Sequence, residues 1–127
     1  MGERNLTVLL RSMEPELQPM PYGFALWHGD VLQVAPFATV AETEGLTVIA
    51  DLAEMKALGM QSDPWARISL TIHSDLSAVG LTAAFATALA NAGMSANVVA
   101  GLHHDHIFVP WDRRDDAMAA LRKLAVA

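Results

Sequence analysis

The feature that most restricts the fold is an alternating segment at Arg67–His73, RISLTIH, followed by a short polar loop and an apolar helix pattern. Ile68, Leu70 and Ile72 share one face of an extended chain, and Ser69, Thr71 and His73 share the other. Such alternation marks an antiparallel sheet with one face in the core. In the loop, Ser74, Asp75 and Ser77 are each able to cap a helix. Leu81, Phe85, Ala88, Leu89 and Ala92 then fall on one stripe at helical spacing, and Gly93 is placed to end the helix in the left-handed conformation. Met94–Leu102 reads as a second strand, His103–His106 as a polar turn and Ile107–Val109 as the return strand. Asp112 and Asp115 make a capping-box-like pair before a last helix. Asp115 and Asp116 sit at its positive end, Arg122 and Lys123 at its negative end, and Met118, Leu121 and Leu124 form its buried stripe.

This order, β-α-β-β-α, is that of a ferredoxin-like unit short of its fourth strand. An open sheet edge is usually covered, so the strand is expected from the first half of the chain or from another subunit. Asn5–Leu10, apolar with two β-branched residues, is the expected donor. After it, Pro15, Pro19 and Pro21 forbid a regular helix or a central strand. Phe24–His28 and Val31–Val34 read as a hairpin, Thr39–Glu44 as a short strand or loop, and Gly45–Ala50 as a strand. Asp51 is placed to cap a helix over Leu52–Leu58 that stops at Gly59. The Gly45–Gly59 segment echoes His106–Leu124: strand, polar cap, apolar helix. The chain is therefore read as two related halves, 1–62 and 63–127, the first degenerate.

Net charge is −6, with 14 acidic against 8 basic side chains and no Lys/Arg run, so nucleic-acid binding is not expected. The absence of cysteine excludes disulfides, thiolate metal sites and a cysteine nucleophile, and fits a reducing compartment. No leader pattern and no apolar run of membrane-spanning length occur, so the expected location is the cytoplasm, without membrane association. A mean hydropathy of +0.30 is high for a small monomer and suggests apolar surface buried against another copy.

Three constellations carry possible chemistry. Ser74–Gly80 opens a helix, where unpaired N–H groups and partial positive charge favour a carboxylate. Asp75 can pair with an ammonium group, and Gly80 permits close approach to the backbone. The bland reading is that Asp75 or Ser77 only caps the helix. His103–His106, HHDH, offers metal-ligand types, but consecutive strand residues alternate faces and zinc needs converging ligands. A polar hairpin turn, with Asp105 supplying turn geometry, is the preferred reading, and no metal is assigned. His73-Ser74-Asp75 holds the residue types of a hydrolase triad without its spatial logic, and no phosphate-binding glycine pattern appears. No catalytic residue and no cofactor are assigned. Trp27, Trp65 and Trp111 read as packing residues.

The segments HSDLSAVGLTAA and NVVAGLHHDHIFVP, supported by NLTVLLRSMEPELQPMPYGFAL and ATVAETEGLTVIADL, closely resemble short bacterial proteins of the ACT-domain group, and more distantly the CASTOR arginine sensors. The resemblance covers nearly the whole chain. It implies an α+β fold of tandem ferredoxin-like ACT units, with antiparallel sheets and a degenerate first copy. It also implies a non-catalytic regulatory protein that binds an amino acid or similar metabolite at an ACT–ACT interface. The ligand-binding positions it carries over are Ser74, Asp75, Ser77, Val79 and Gly80, with Asn97 and Val98 on the facing strand. A homodimer is expected, with an unidentified protein partner as a further expectation. The alternative is a structural or partner-interaction module with no small ligand.

Overall fold

The computed structural model describes residues 5–71 and 79–126. Along the chain run α1 (Leu6–Ser12), β1 (Pro15–Leu17), β2 (Tyr22–Trp27), β3 (Ala38–Glu42), β4 (Gly45–Asp51), α2 (Leu52–Ala57), β5 (Trp65–Leu70), α3 (Leu81–Asn91), β6 (Asn97–Ala100), β7 (Asp105–Pro110) and α4 (Arg114–Ala125). Packing divides them into two compact units, residues 1–18 with 66–127, and residues 19–65.

The larger unit corrects the reading of the first segment. Asn5–Leu10 is not a strand: Leu6–Ser12 is a helix, and the Asn5 side chain caps it by accepting the Val8 N–H at 3.1 Å. The β-branched residues Thr7 and Val8 that suggested a strand are exposed, whereas Leu6, Leu9, Leu10 and Met13 form a stripe at helical spacing. Leu9 and Met13 are buried, with Leu6 and Leu10 packed beside them.

The fourth strand does come from the N-terminal segment, but from Pro15–Leu17. It lies antiparallel to β5 with Pro15 opposite Leu70 and Leu17 opposite Ile68. The Gln18 N–H donates to the Arg67 carbonyl at 2.9 Å and the Thr71 N–H to that of Glu14 at 3.2 Å. Pro15 opens the strand, where its missing N–H breaks no ladder. Within this unit the strand order is β1-β5-β7-β6, the 4-1-3-2 order of a ferredoxin-like sheet. Helices α1, α3 and α4 cover one face. Their core joins Ile68, Leu70, Ile107 and Val109 to Phe85, Leu89, Met118 and Leu121.

Helix α3 ends as expected. Gly93 has φ +81°, its N–H donates to the Ala90 carbonyl, and that of Met94 reaches back to Leu89 at 3.1 Å, a Schellman closure. The start of α4 differs from expectation. A 3-10 turn over Trp111–Arg113 leads into it, and among the described residues no side chain caps it, so Asp112 is not its cap. Arg113 instead braces the turn, donating to Asp116 at 3.0 Å and to the Ala92 carbonyl at 2.8 Å.

In the smaller unit β3, β4 and β2 form an antiparallel sheet, with Phe24, Ile49 and Ala38 in one cross-strand row. Tyr22 pairs onward with Trp65. Val31–Val34 is irregular rather than a strand, Val31 being exposed and Val34 buried. Asp51 caps α2 as expected, accepting from the N–H groups of Ala53 and Glu54. Val34, Val48, Ala50 and Met55 form this unit's core. Among the described residues no helix is long and apolar enough to cross a membrane.

Candidate functional site

Of the seven residues assigned to ligand binding, Ser74, Asp75 and Ser77 lie outside the described residues, as does His73. Val79 is 83% exposed. Gly80 occupies the N-cap of α3 with φ +95°, in the left-handed region, and as a glycine it offers no capping side chain of its own. The first turn of α3 carries no acidic residue. Its leading N–H groups are therefore unopposed by a carboxylate on their own element, which suits them to an anion. The α-carbon of Gly80 faces Leu6 of α1: a Cβ there would stand 3.1 Å from the Leu6 side chain. The freedom expected at Gly80 thus serves helix packing on that side.

Asn97 and Val98 open β6, which pairs with β7. They point to opposite faces of the sheet. Val98 packs on the helix-covered core, while Asn97 is exposed and sits across from Phe108. Asn97 belongs to the face away from the helices.

That face holds a cluster which sequence reasoning passed over. The Ser69 hydroxyl meets His106 Nδ1 at 2.8 Å, and Arg67 Nη2 approaches the same nitrogen at 3.4 Å. Ser69 is buried, unusual for a serine in an alternating strand. A guanidinium only donates, so Nδ1 accepts and the imidazole proton rides on Nε2. Burial, with the charges of Arg67 and His104, pushes the His106 pKa down to about 4. Burial raises that of Asp105, opposed by His104. The signal in the sequence was the two-residue spacing of Arg67 and Ser69; their partner on β7 required the register.

The HHDH segment divides differently from its expected turn. The hairpin turn spans Gly101–His104, closed by the Gly101 N–H donating to the His104 carbonyl at 2.9 Å, and Asp105 and His106 already belong to β7. His106 pairs with Val99 rather than with His103. The rings of His103 and His104 meet edge to face at 6.5 Å. Among the described residues no three His, Asp or Glu side chains converge as a metal site would require.

The three tryptophans pack. Trp65 meets Phe24 edge to face at 5.8 Å, the Arg114 guanidinium lies 3.9 Å over the Trp111 ring, and Trp27 packs on the smaller core.

Two ACT-domain family profiles match the chain, one over residues 1–67 and one over residues 62–123. Among solved structures, a protein of unknown function from Vibrio cholerae, described as a possible transport protein, is 45% identical, with a TM-score of 0.85 over 94% of this chain and 95% of its own. The regulatory subunit of aspartate kinase from Thermus thermophilus, in ligand-free form, superposes with a TM-score of 0.66 at 12% identity, over 87% of this chain and 95% of that one. Its counterpart from Thermus flavus gives 0.62 at 10% identity, over the same shares. The last two establish likeness of fold alone. None of the curated proteins compared matches the chain. ACT domains are regulatory rather than catalytic, and no catalytic family is indicated. Two consecutive profile matches, a ferredoxin-like strand order and a near-full-length relative agree: the chain belongs to the ACT-domain family and carries two such domains in tandem.

Proposed function

We propose that the chain is a regulatory protein that binds an amino acid or similar small metabolite at an interface between ACT units, acting as a cytoplasmic homodimer. The sequence copies are read as 1–62 and 63–127. Ser74, Asp75, Ser77, Val79 and Gly80 would hold the ligand at the entrance of α3, with Asn97 and Val98 on the neighbouring strand. One observation carries this reading: α3 opens at a left-handed glycine that brings no capping side chain of its own, so its N-terminal amides suit a carboxylate. Asp75 is the candidate partner for the ammonium group.

Binding would shift the balance between arrangements of ACT units by no more than the ligand's differential affinity for them. Thermal denaturation with each proteinogenic amino acid tests the proposal. A ligand at a hundred times its dissociation constant adds about 2.7 kcal/mol of stability. Asp75→Ala is expected to abolish the gain; a gain that survives the substitution places the ligand elsewhere.

A second reading, a protein-interaction module with no small ligand, draws on the edge strand β6, whose partner within the larger unit is β7 alone among the described residues. A flat amino-acid screen together with strand-edge pairing to another protein would favour it.

A further inference from the structure

A cleft of about 370 Å³ lies in the larger unit between the α1–β1 connection and the end of α4. Arg11, Glu14 and Arg122 bring charge to it, and Met13, Pro15 and Val126 bring apolar wall. Among the described residues no ion pair engages Arg11, Glu14 or Arg122. The helix dipole explains each arginine singly, since each sits in the last turn of its own helix. It does not explain why two of the chain's 8 basic residues line one opening in a protein of net charge −6.

The rim between them is held in place. Met13 is buried and its N–H donates to the Leu10 carbonyl. The Glu14 carbonyl accepts both the N–H and the hydroxyl of Thr71, at 3.2 and 3.1 Å.

We propose that this cleft binds an acidic α-amino acid. Such a ligand carries two carboxylates and one ammonium; the cleft offers two guanidiniums and one carboxylate. Guanidinium–carboxylate pairs can form bidentately and are among the stronger charge-assisted contacts. Glu14 accepts from the ammonium, helped by the partial negative charge where α1 and α4 end. The apolar wall takes the methylenes. The volume lies near the lower end of small-molecule sites, roughly 300–1,000 Å³, which suits a small metabolite rather than a nucleotide. This inference does not rest on the reading at Ser74–Gly80, and either can fail alone.

The test is titration of the isotope-labelled full chain with L-glutamate and L-aspartate, followed by backbone amide NMR. The expected result is that at least one acidic amino acid moves the amides of residues 11–15 and 122–126. L-glutamine and glutarate, each lacking one charged group, bind about tenfold more weakly or worse, as do Arg11→Gln and Arg122→Gln. Glu14→Gln weakens glutamate binding and leaves that of glutarate unchanged. Arg→Lys variants at both positions bind with intermediate strength, which separates loss of recognition from loss of folding. Three results overturn the proposal: no shift with either acidic amino acid at millimolar concentration, binding that persists in the double Arg→Gln variant, or shifts confined to residues 74–80 and 97–98.

Discussion

Ser69 and His106, on neighbouring strands of the larger unit, are joined by a 2.8 Å hydrogen bond at Nδ1, with Arg67 at 3.4 Å from the same atom. Burial of the ring, and then the positive charges of Arg67 and His104, disfavours its protonated form. The native state therefore resists protonation of His106, whose pKa falls from 6.5 to about 4, while the unfolded chain takes up the proton near 6.5.

The sign of the pH dependence follows. Between pH 6.5 and about 4 the unfolded state binds more protons, so this group's contribution is full above pH 6.5 and is lost as pH falls through that window. The ring is half-buried, and solvent screening reduces the effect to about 1 kcal/mol. Asp105, with its raised pKa, acts in the opposite sense: its contribution is lost as pH rises through its folded value. Urea unfolding against pH for the wild type and His106→Asn isolates the histidine. The variant is expected to lose that part of the slope; parallel curves would exclude the mechanism.

Gly80 and Gly93 separate two costs of adding a methyl group. Both have positive φ, but a Cβ at Gly93 meets nothing within 4 Å, while one at Gly80 meets Leu6 at 3.1 Å. Gly93→Ala should cost about 1 kcal/mol from backbone strain alone. Gly80→Ala should cost more, by about 1 kcal/mol of overpacking. In the Leu6→Ala background the two glycine substitutions should cost the same, which chemical denaturation of the double variants will decide.

Replacing the Asn5 cap bears on the helical assignment of residues 6–12. Asn5→Ala should destabilise by about 1 kcal/mol and Asn5→Ser should be nearly neutral. Leu9→Ala, which empties a fully buried position, should cost about 2–5 kcal/mol, whereas Val8→Thr on the exposed side should cost little. Strand pairing at residues 5–10 would predict no benefit from a capping serine.

In the smaller unit, a Cβ at Gly23 would stand 2.9 Å from Met55 Sδ and 3.0 Å from the Ser62 Cβ. The same serine accepts the Phe24 N–H at 2.8 Å and donates to the Asp63 carbonyl. Gly23→Ala is expected to cost about 1–3 kcal/mol by overpacking, and Ser62→Ala about 1–2 kcal/mol by orphaning the Phe24 amide. Equilibrium unfolding measures both, and faster hydrogen exchange at Phe24 should accompany the serine change.

Local signals carried the sequence reading far. Asp51 before an apolar run, glycines at 59 and 93, and alternation at Ile68 and Leu70 each act within a few residues, so α2, the end of α3 and β5 were legible in advance. The family resemblance, resting on HSDLSAVGLTAA and NVVAGLHHDHIFVP, anticipated the tandem ACT fold that the profile matches bear out. Asn5–Leu10 misled because two β-branched residues outweighed a capping asparagine and a four-position stripe. Asp112 misled because the chain enters α4 through a 3-10 turn that shifts the cap position.

Periodicity and capping chemistry by themselves pointed to the β-α-β-β-α order of the second half, the motif segments to the resemblance to the ACT family, and the lack of cysteine to the absence of thiol chemistry. They act at short range, where a side chain's effect depends on its neighbours in the chain. Tertiary structure alone decided which strand completes the larger sheet, that Leu6 backs Gly80, and that Ser69, Arg67 and His106 meet on one nitrogen. Those contacts join residues dozens of positions apart, and cross-strand register and helix docking bring them together only once the core has formed.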